Sequence, residues 1–203
     1  MPPVCAGDWI YSDRLRLDLA FDAARLRADL AGFCESHWTA HFVPEHYDGD
    51  WSVLPLRAPA GASHPILRIA SPPNAAGWQD TELLAACLYF RHVLAAFECP
   101  LQAVRLMRLA PGSVIKEHRD HDLAAEWGVA RLHIPITTND RVDFRLNGTR
   151  IDMAPGSSWY LRLADPHSVT NHGDTVRVHL VIDAEVNDWL ADRLRAALPV
   201  GTS

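Results

Sequence analysis

Lysine is nearly missing from this chain. Lys116 stands alone against eighteen arginines in 203 residues, a bias that reads first as codon usage and says nothing about substrate charge. Cysteine is sparse too: Cys5, Cys34, Cys87 and Cys99 form no CxxC pair, which argues against a disulfide scaffold and against a thiolate metal site. No signal peptide is read ahead of them, so a reducing cytoplasm is the expected compartment. A basic excess is also lacking. With 25 acids against 19 bases the net charge is −6, which gives no footprint for nucleic acid or an anionic membrane. Internal repeats and low-complexity tracts are absent. What remains is a chain that is 48% hydrophobic, enough for one domain to bury about 70% of its unfolded surface without a covalent staple.

Helical patterns flank a strand-rich half. Leu26, Leu30 and Phe33 recur at helical spacing, as do Leu84, Cys87, Leu88, Arg91 and Leu94 behind a cap at Asp80. A C-terminal helix is predicted between Val186 and Leu198, behind Asn187 or Asp188 and stopped by Pro199. From Ala103 onward short strands alternate with turn signals at Pro111-Gly112, Asn139-Asp140, Asn147-Gly148, Pro155-Gly156 and His172-Gly173-Asp174, the rhythm of a sandwich, jelly roll or barrel. Asn147-Gly148 predicts a hairpin joining Val142-Phe144-Leu146 to Ile151-Met153. Ala58 to Pro73, rich in Pro, Ala and Ser, reads as a mobile loop. The whole chain is expected to form one domain: a helical flank and lid over about residues 1–100, a β core over about 103–183, and a closing helix over 186–198.

The chemistry concentrates in the second half. His118 and Asp120 stand two apart, so at an extended strand end both side chains reach the same face while Arg119 points away. With a further imidazole from His167 they make two nitrogens and a carboxylate, a donor set suited to Fe(II) that leaves positions open for other ligands. Ten residues beyond His167 comes Arg177, a turn at Asn171-His172-Gly173-Asp174 being expected to bring its strand alongside that of His167. The planar fork of an arginine can grip a carboxylate bidentately. Alone, an H-x-D pair is more often a solvated loop than a ligand set. Two segments strengthen it: Arg131-Leu132-His133-Ile134-Pro135-Ile136 and Arg177-Val178-His179-Leu180-Val181-Ile182 each alternate polar and apolar residues, which argues for strands with one face packed and the other lined by Arg and His.

Taken together, Leu109-Ala110-Pro111-Gly112, His118-Arg119-Asp120, Arg131-Leu132-His133-Ile134-Pro135, Pro155-Gly156 and His167 with Arg177 resemble the aspartyl/asparaginyl β-hydroxylase family of 2-oxoglutarate- and Fe(II)-dependent dioxygenases. The resemblance spans about residues 38–183, with a less diagnostic upstream part at Trp38-Thr39-Ala40-His41, Tyr47-Asp48-Gly49-Asp50-Trp51 and Leu54-Pro55-Leu56-Arg57. It implies a mainly β, α+β fold: a double-stranded β-helix or jelly roll, cupin-like, flanked by helices. It further implies His118, Asp120 and His167 as iron ligands, Arg177 on the distal carboxylate of 2-oxoglutarate, and Arg131 with His133 near its chelating end. Animal aspartyl hydroxylases of this kind lack the carboxylate ligand that Asp120 supplies; in that respect the chain is similar to bacterial free-amino-acid hydroxylases such as proline hydroxylases. Some of those carry an added C-terminal region, which is not expected here. The implied reaction uses O2 to hydroxylate an aliphatic C–H bond of an amino acid or short peptide, with succinate and CO2 as co-products. Asp120 argues against halogenation, which needs that ligand position open.

Other histidines compete. His121 has the wrong parity to share a face with Asp120, and His172, only five residues before Arg177, belongs in the turn. His179 shares the Arg177 face and either bonds the co-substrate or is a buried histidine. Trp38, Tyr47 and Trp51 are entrance or core, and the stretch Trp38 to Arg57 is the candidate lid. Three other functions fit the same residues: a hydroxylase of Asp or Asn side chains in a protein, a cupin-like zinc or manganese enzyme, and a metal- or keto-acid-binding sensor without turnover.

Overall fold

Period-two alternation sorts the side chains into two layers around a pair of facing antiparallel sheets. The computed structural model describes residues 12–72 and 74–197. The larger sheet runs β1 (Arg14–Ala20), β11 (Ser157–Leu161), β8 (Val129–Thr137), β13 (Arg177–Glu185), β6 (Leu101–Leu109), β4 (Trp51–Pro59) and β2 (Thr39–Ala40), with β5 (Trp78–Asp80) also on β4. The smaller runs β10 (Thr149–Arg150), β9 (Val142–Leu146), β12 (His167–Asn171), β7 (Val114–His118) and β3 (Tyr47–Asp48). This is the double-stranded β-helix that the family resemblance implies.

Leu132, Ile134, Leu180 and Ile182 point outward from the large sheet into a core closed by helices α1 (Ala23–Leu30), α3 (Glu82–Ala85), α4 (Leu88–Leu94) and α5 (Asp188–Ala196). Residues of opposite parity, among them Trp51, Met107, Trp159 and Val181, face the small sheet and meet Ile115, Phe144 and Val169 there. Arg131, His133, Arg177, His179 and Asp183 occupy that inner parity as well, so the same alternation that builds the outer core places charge and imidazole between the sheets.

Several expectations are corrected. The flank before residue 100 is not merely helical, because β1 and β4 join the large sheet. Arg14-Leu15-Arg16-Leu17 alternates as a strand should, with Leu15 and Leu17 buried. The Leu84–Leu94 pattern is two short helices: α3 is capped at Thr81 rather than Asp80, and the chain breaks at Ala86-Cys87. There Asp29, from the last turn of α1, accepts from Tyr89 N and Phe90 N at 2.8 and 2.7 Å and caps α4 from outside. Phe33 lies beyond the end of α1 yet packs on the core. Within Ala58–Pro73, the first two residues complete β4 and α2 (Pro65–Ile69) follows, pinned by the buried Ile69; Pro73 lies outside the described residues. The C-terminal helix is capped by Asn187, whose side chain accepts from Leu190 N; Leu198, the Pro199 stop and Cys5 lie outside the described residues. The hairpin turns at Asn147 (φ 51°) and Gly148 (φ 73°), but its return strand is Thr149–Arg150, opposite Leu146 and Arg145.

One correction bears on the site. The turn after Asn171 does not lay the Arg177 strand beside the His167 strand: β12 pairs with β7 and β9 in the small sheet, whereas β13 pairs with β6 and β8 in the large one. Asn171 makes the corner. Fully buried, it donates to Leu109 O and Thr175 O at 3.1 and 2.9 Å and accepts from Asn139 Nδ2 and Gly173 N at 3.1 Å each. His167 and Arg177 therefore face each other from opposite walls.

Candidate metal and anion site

His118 ends β7, His167 begins β12, and the two are direct register partners. Neighbouring positions on one face of an antiparallel pair set their rings 4.2 Å apart between centroids. Each ring is oriented by its own backbone: His118 Nδ1 meets Lys116 O at 2.8 Å, and His167 Nδ1 meets Asp165 O at 3.0 Å. A carbonyl can only accept, so both protons sit on Nδ1 and both Nε2 lone pairs are free to coordinate. Burial and the nearby His118 ring push His167 down to about 4, which keeps it neutral. Asp120 lies just past β7, held by Asp120 N donating to Leu163 O at 2.8 Å. One Asp120 oxygen is 3.9 Å from His118 Nε2, and the other accepts from Arg131 at 2.7 Å. One ligand atom from each of His118, Asp120 and His167 falls within 4.8 Å of the other two, so the three can hold one cation.

Behind Asp120 stands a buried charge cluster. Arg131 donates to Asp183 through Nε at 2.6 Å and Nη2 at 3.0 Å, and Arg105 reaches the same carboxylate at 2.5 Å. Ser71 Oγ adds a fourth bond at 2.9 Å, and Arg105 also donates to Ile69 O, which ties the α2 segment to the site. Burial alone would raise the Asp183 carboxyl; Arg131 and Arg105 outweigh it and hold the group at about 2. Burial would likewise lower Arg131, but Asp183 and Asp120 raise it above the ordinary value.

The opposite end of the cavity is different. Arg177 is buried with no carboxylate partner among the described residues, and burial pulls its guanidinium down to about 9. Its Nη2 donates to His179 Nδ1 at 2.8 Å, while Nε has no partner. His179 Nδ1 accepts from Arg177, so the proton in the 3.3 Å contact between His133 and His179 belongs to His133. That leaves His133 Nε2 buried, unprotonated and without a partner. Burial, then Arg177, holds both rings far below the usual imidazole range. An isolated buried cation is costly unless something neutralises it. The cavity, about 350 Å³, joins this arginine to the His118, Asp120, His167 cluster.

Of the other residues singled out, Trp51 lines the cavity, its indole N–H buried without a partner and His41 stacked on it at 3.5 Å. The proposed lid is therefore divided: His41, Phe42, Val43 and His46 rim the mouth, whereas Trp51 to Arg57 belong to β4. Trp38 lies under Arg108 and not on the cavity. Arg119 donates to Ala164 O, yet it lines the mouth with His121 and Asp122, and so does not point fully away. His172 is exposed in the corner turn, and His179 sits behind Arg177. Sequence reasoning missed Arg105 and Asp183; their signal was a charge interrupting the apolar alternation of Ala103–Leu109 and Val181–Val186.

A double-stranded β-helix with two histidines and a carboxylate on one wall, and facing them a buried arginine with no carboxylate partner among the described residues, defines a class of metal- and anion-binding folds. The model of the aspartyl/asparaginyl β-hydroxylases matches residues 45–186, and the chain belongs to that family. It is 25% identical over 177 residues to the L-proline cis-4-hydroxylase of Rhizobium meliloti (strain 1021), an alignment covering 86% of this chain and 61% of that protein. In fold it is similar to a 2OG-Fe(II) oxygenase family oxidoreductase from Burkholderia pseudomallei (TM-score 0.56, 16% identity, 91% and 93% of the two chains). A prolyl-4-hydroxylase from Pseudomonas putida is comparable (TM-score 0.52, 12% identity, 89% and 96%).

Proposed function

We propose that the chain is an Fe(II)- and 2-oxoglutarate-dependent dioxygenase that hydroxylates an aliphatic C–H bond of a free amino acid or short peptide, releasing succinate and CO2. The observation that carries this reading is Arg177: a buried guanidinium with an unpartnered Nε, in the same cavity as a His, Asp, His donor set with both Nε2 atoms free. His118, Asp120 and His167 would hold the iron; bound there with the keto acid, it supplies the oxidising power for dioxygen chemistry.

The protein's own part is positioning. Arg177 would take the distal carboxylate of 2-oxoglutarate, gaining the partner it lacks. Arg131 stays clamped on Asp120 and Asp183, so it places positive charge beside the chelating end and keeps the ligand carboxylate facing the histidines. His133 walls that end as a neutral ring. Met107, Phe144, Leu163 and Val169 keep the interior apolar and exclude water. A cavity of about 350 Å³ is at the small end of ligand sites, so with the keto acid inside it suits a small molecule. Exposed Arg119 and Asp122 put both signs of charge at its mouth, in keeping with a zwitterion.

Among the described residues no helix is long and apolar enough to cross a membrane. Cys34, Cys87 and Cys99 are free thiols, which suits a reducing compartment such as the cytoplasm. The deciding experiment is succinate formation with Fe(II), 2-oxoglutarate and O2 across a panel of amino acids and short peptides. L-Proline comes first because of the similar proline hydroxylase. At least one should stimulate turnover and gain a single oxygen atom. If none does while a cellular protein extract yields a hydroxylated polypeptide, the small-substrate reading fails.

A further inference from the structure

A second cavity of about 480 Å³ lies behind the first, bordered by Asn139, Arg150, Met153, Pro155 and His179. Phe144 is the one described residue that borders both. Elsewhere the partition is a single layer of bonded side chains: Arg177 and His133 face the front cavity, and His179, which contacts both, faces the rear. The Phe144 ring closes this partition from the small sheet. It stands 5.9 Å from the His133 ring at 78°, and Arg177 Cζ lies 5.8 Å from its centroid.

We propose that Phe144 sets the length of the dicarboxylic keto acid this protein accepts, by shutting off the rear space that a longer co-substrate would need. The inference rests on the reading of Arg177 as the co-substrate anchor. The span from the His118, Asp120, His167 cluster to Arg177 is fixed by two different sheets. A keto acid one methylene longer must therefore bow its chain sideways or drive the guanidinium back. Arg177 is held by His179, and the buried Phe144 ring occupies the adjoining space. Removing ring atoms joins the two cavities and gives the extra methylene somewhere to go.

The test is calorimetric binding of 2-oxoglutarate and 2-oxoadipate to the Mn(II)-loaded protein, unaltered and as Phe144→Leu, Phe144→Ala and Phe144→Trp, with thermal melting to confirm that each is folded. The unaltered protein should prefer 2-oxoglutarate. Phe144→Leu and Phe144→Ala should move the affinity ratio toward 2-oxoadipate by about tenfold or more, the scale on which a pocket discriminates one methylene. Phe144→Trp, which fills rather than empties the partition, should sharpen the original preference severalfold and carries the test where the smaller side chains fail to fold, an unsharpened ratio there counting against the gate. If folded Leu and Ala variants bind 2-oxoglutarate with an unchanged ratio, or Trp relaxes it, Phe144 is not the gate and the reading of Arg177 stands. If the unaltered protein binds neither keto acid, that reading falls and takes this inference with it.

Discussion

Arg131 is clamped to Asp183 at 2.6 and 3.0 Å while its remaining terminal nitrogen holds Asp120 at 2.7 Å. Asp183 touches no candidate ligand, yet it fixes the guanidinium that fixes the carboxylate. Asp183→Asn should keep the side-chain shape but lose the charge that centres Arg131. Metal affinity should fall by about 10–100-fold, the usual cost of disturbing a group that orients a ligand. Equilibrium titration with Co(II), followed by its visible absorption, measures this. Affinity and spectrum equal to those of the unaltered protein would show that Arg131 holds Asp120 without help.

The same carboxylate makes an acid-dependent contribution to stability. Asp183 is held at about 2, below its ordinary value of 3.8, so the folded state binds its proton less readily than the unfolded state. The contribution is complete above about pH 4 and is lost as pH falls toward 2. Its size is about 2 kcal/mol, since each tenfold difference in proton affinity between the two states is worth about 1.4 kcal/mol. Urea unfolding across this range should show a shallower acid limb in Asp183→Asn than in the unaltered protein. Parallel limbs would contradict the assignment.

Replacing His118, Asp120 or His167 singly by alanine should weaken Fe(II) binding and abolish 2-oxoglutarate turnover. His121→Ala and His172→Ala should retain metal, because the first lies at the mouth and the second in an exposed turn. Anaerobic titration reading the visible absorption of the Fe(II)–keto acid complex separates them. Loss of that band in His172→Ala together with its survival in His167→Ala would reverse the choice of distal ligand.

Much of this site was legible because strand alternation is a short-range code. Arg131/His133 and Arg177/His179 had to face the opposite way from Leu132/Ile134 and Leu180/Ile182, and they do. The His-x-Asp spacing and the distant His167 needed the family resemblance to be joined, since nothing local says that β7 and β12 are register partners. What stayed hidden depends on contacts between distant residues. Asp29 capping α4, Asp183 holding Arg131 and Arg105, and Asn171 turning the chain from one sheet to the other each link positions with no periodic relation. The strand of Arg14–Ala20 was hidden differently: its alternation is plain, but it lies over a hundred residues from its partner β11 and adjoins a helical pattern.

Asn171 offers a test of that corner. Its amide makes four bonds in a fully buried position. Asn171→Leu, similar in size, would take one donor from Leu109 O and leave Gly173 N without its side-chain acceptor, while Thr175 O keeps only the bond from Asn139 Nδ2. Each unsatisfied buried group costs about 1–3 kcal/mol, so a loss of about 2–4 kcal/mol is expected in chemical denaturation. Because the corner sets where β13 begins, 2-oxoglutarate affinity should fall along with stability. A destabilised variant with unchanged keto-acid affinity would show that β6 and β8 alone place Arg177.

Arg177 itself carries the largest single effect. Loss of a charge-assisted, desolvated pair costs on the order of 2–5 kcal/mol, so Arg177→Ala should weaken 2-oxoglutarate binding by one to several orders of magnitude while the metal stays bound. The sign on stability is opposite. Removing a buried cation that has no carboxylate partner among the described residues relieves its desolvation, so in the absence of keto acid Arg177→Ala should be no less stable than expected for the lost packing alone, or even more stable than the unaltered protein. Adding 2-oxoglutarate should then raise the melting temperature of the unaltered protein and leave that of Arg177→Ala nearly unmoved. Arg177→Lys should recover only part of the shift, because an ammonium is a point charge without the fork. An unchanged melting shift in Arg177→Ala would remove this residue from the site.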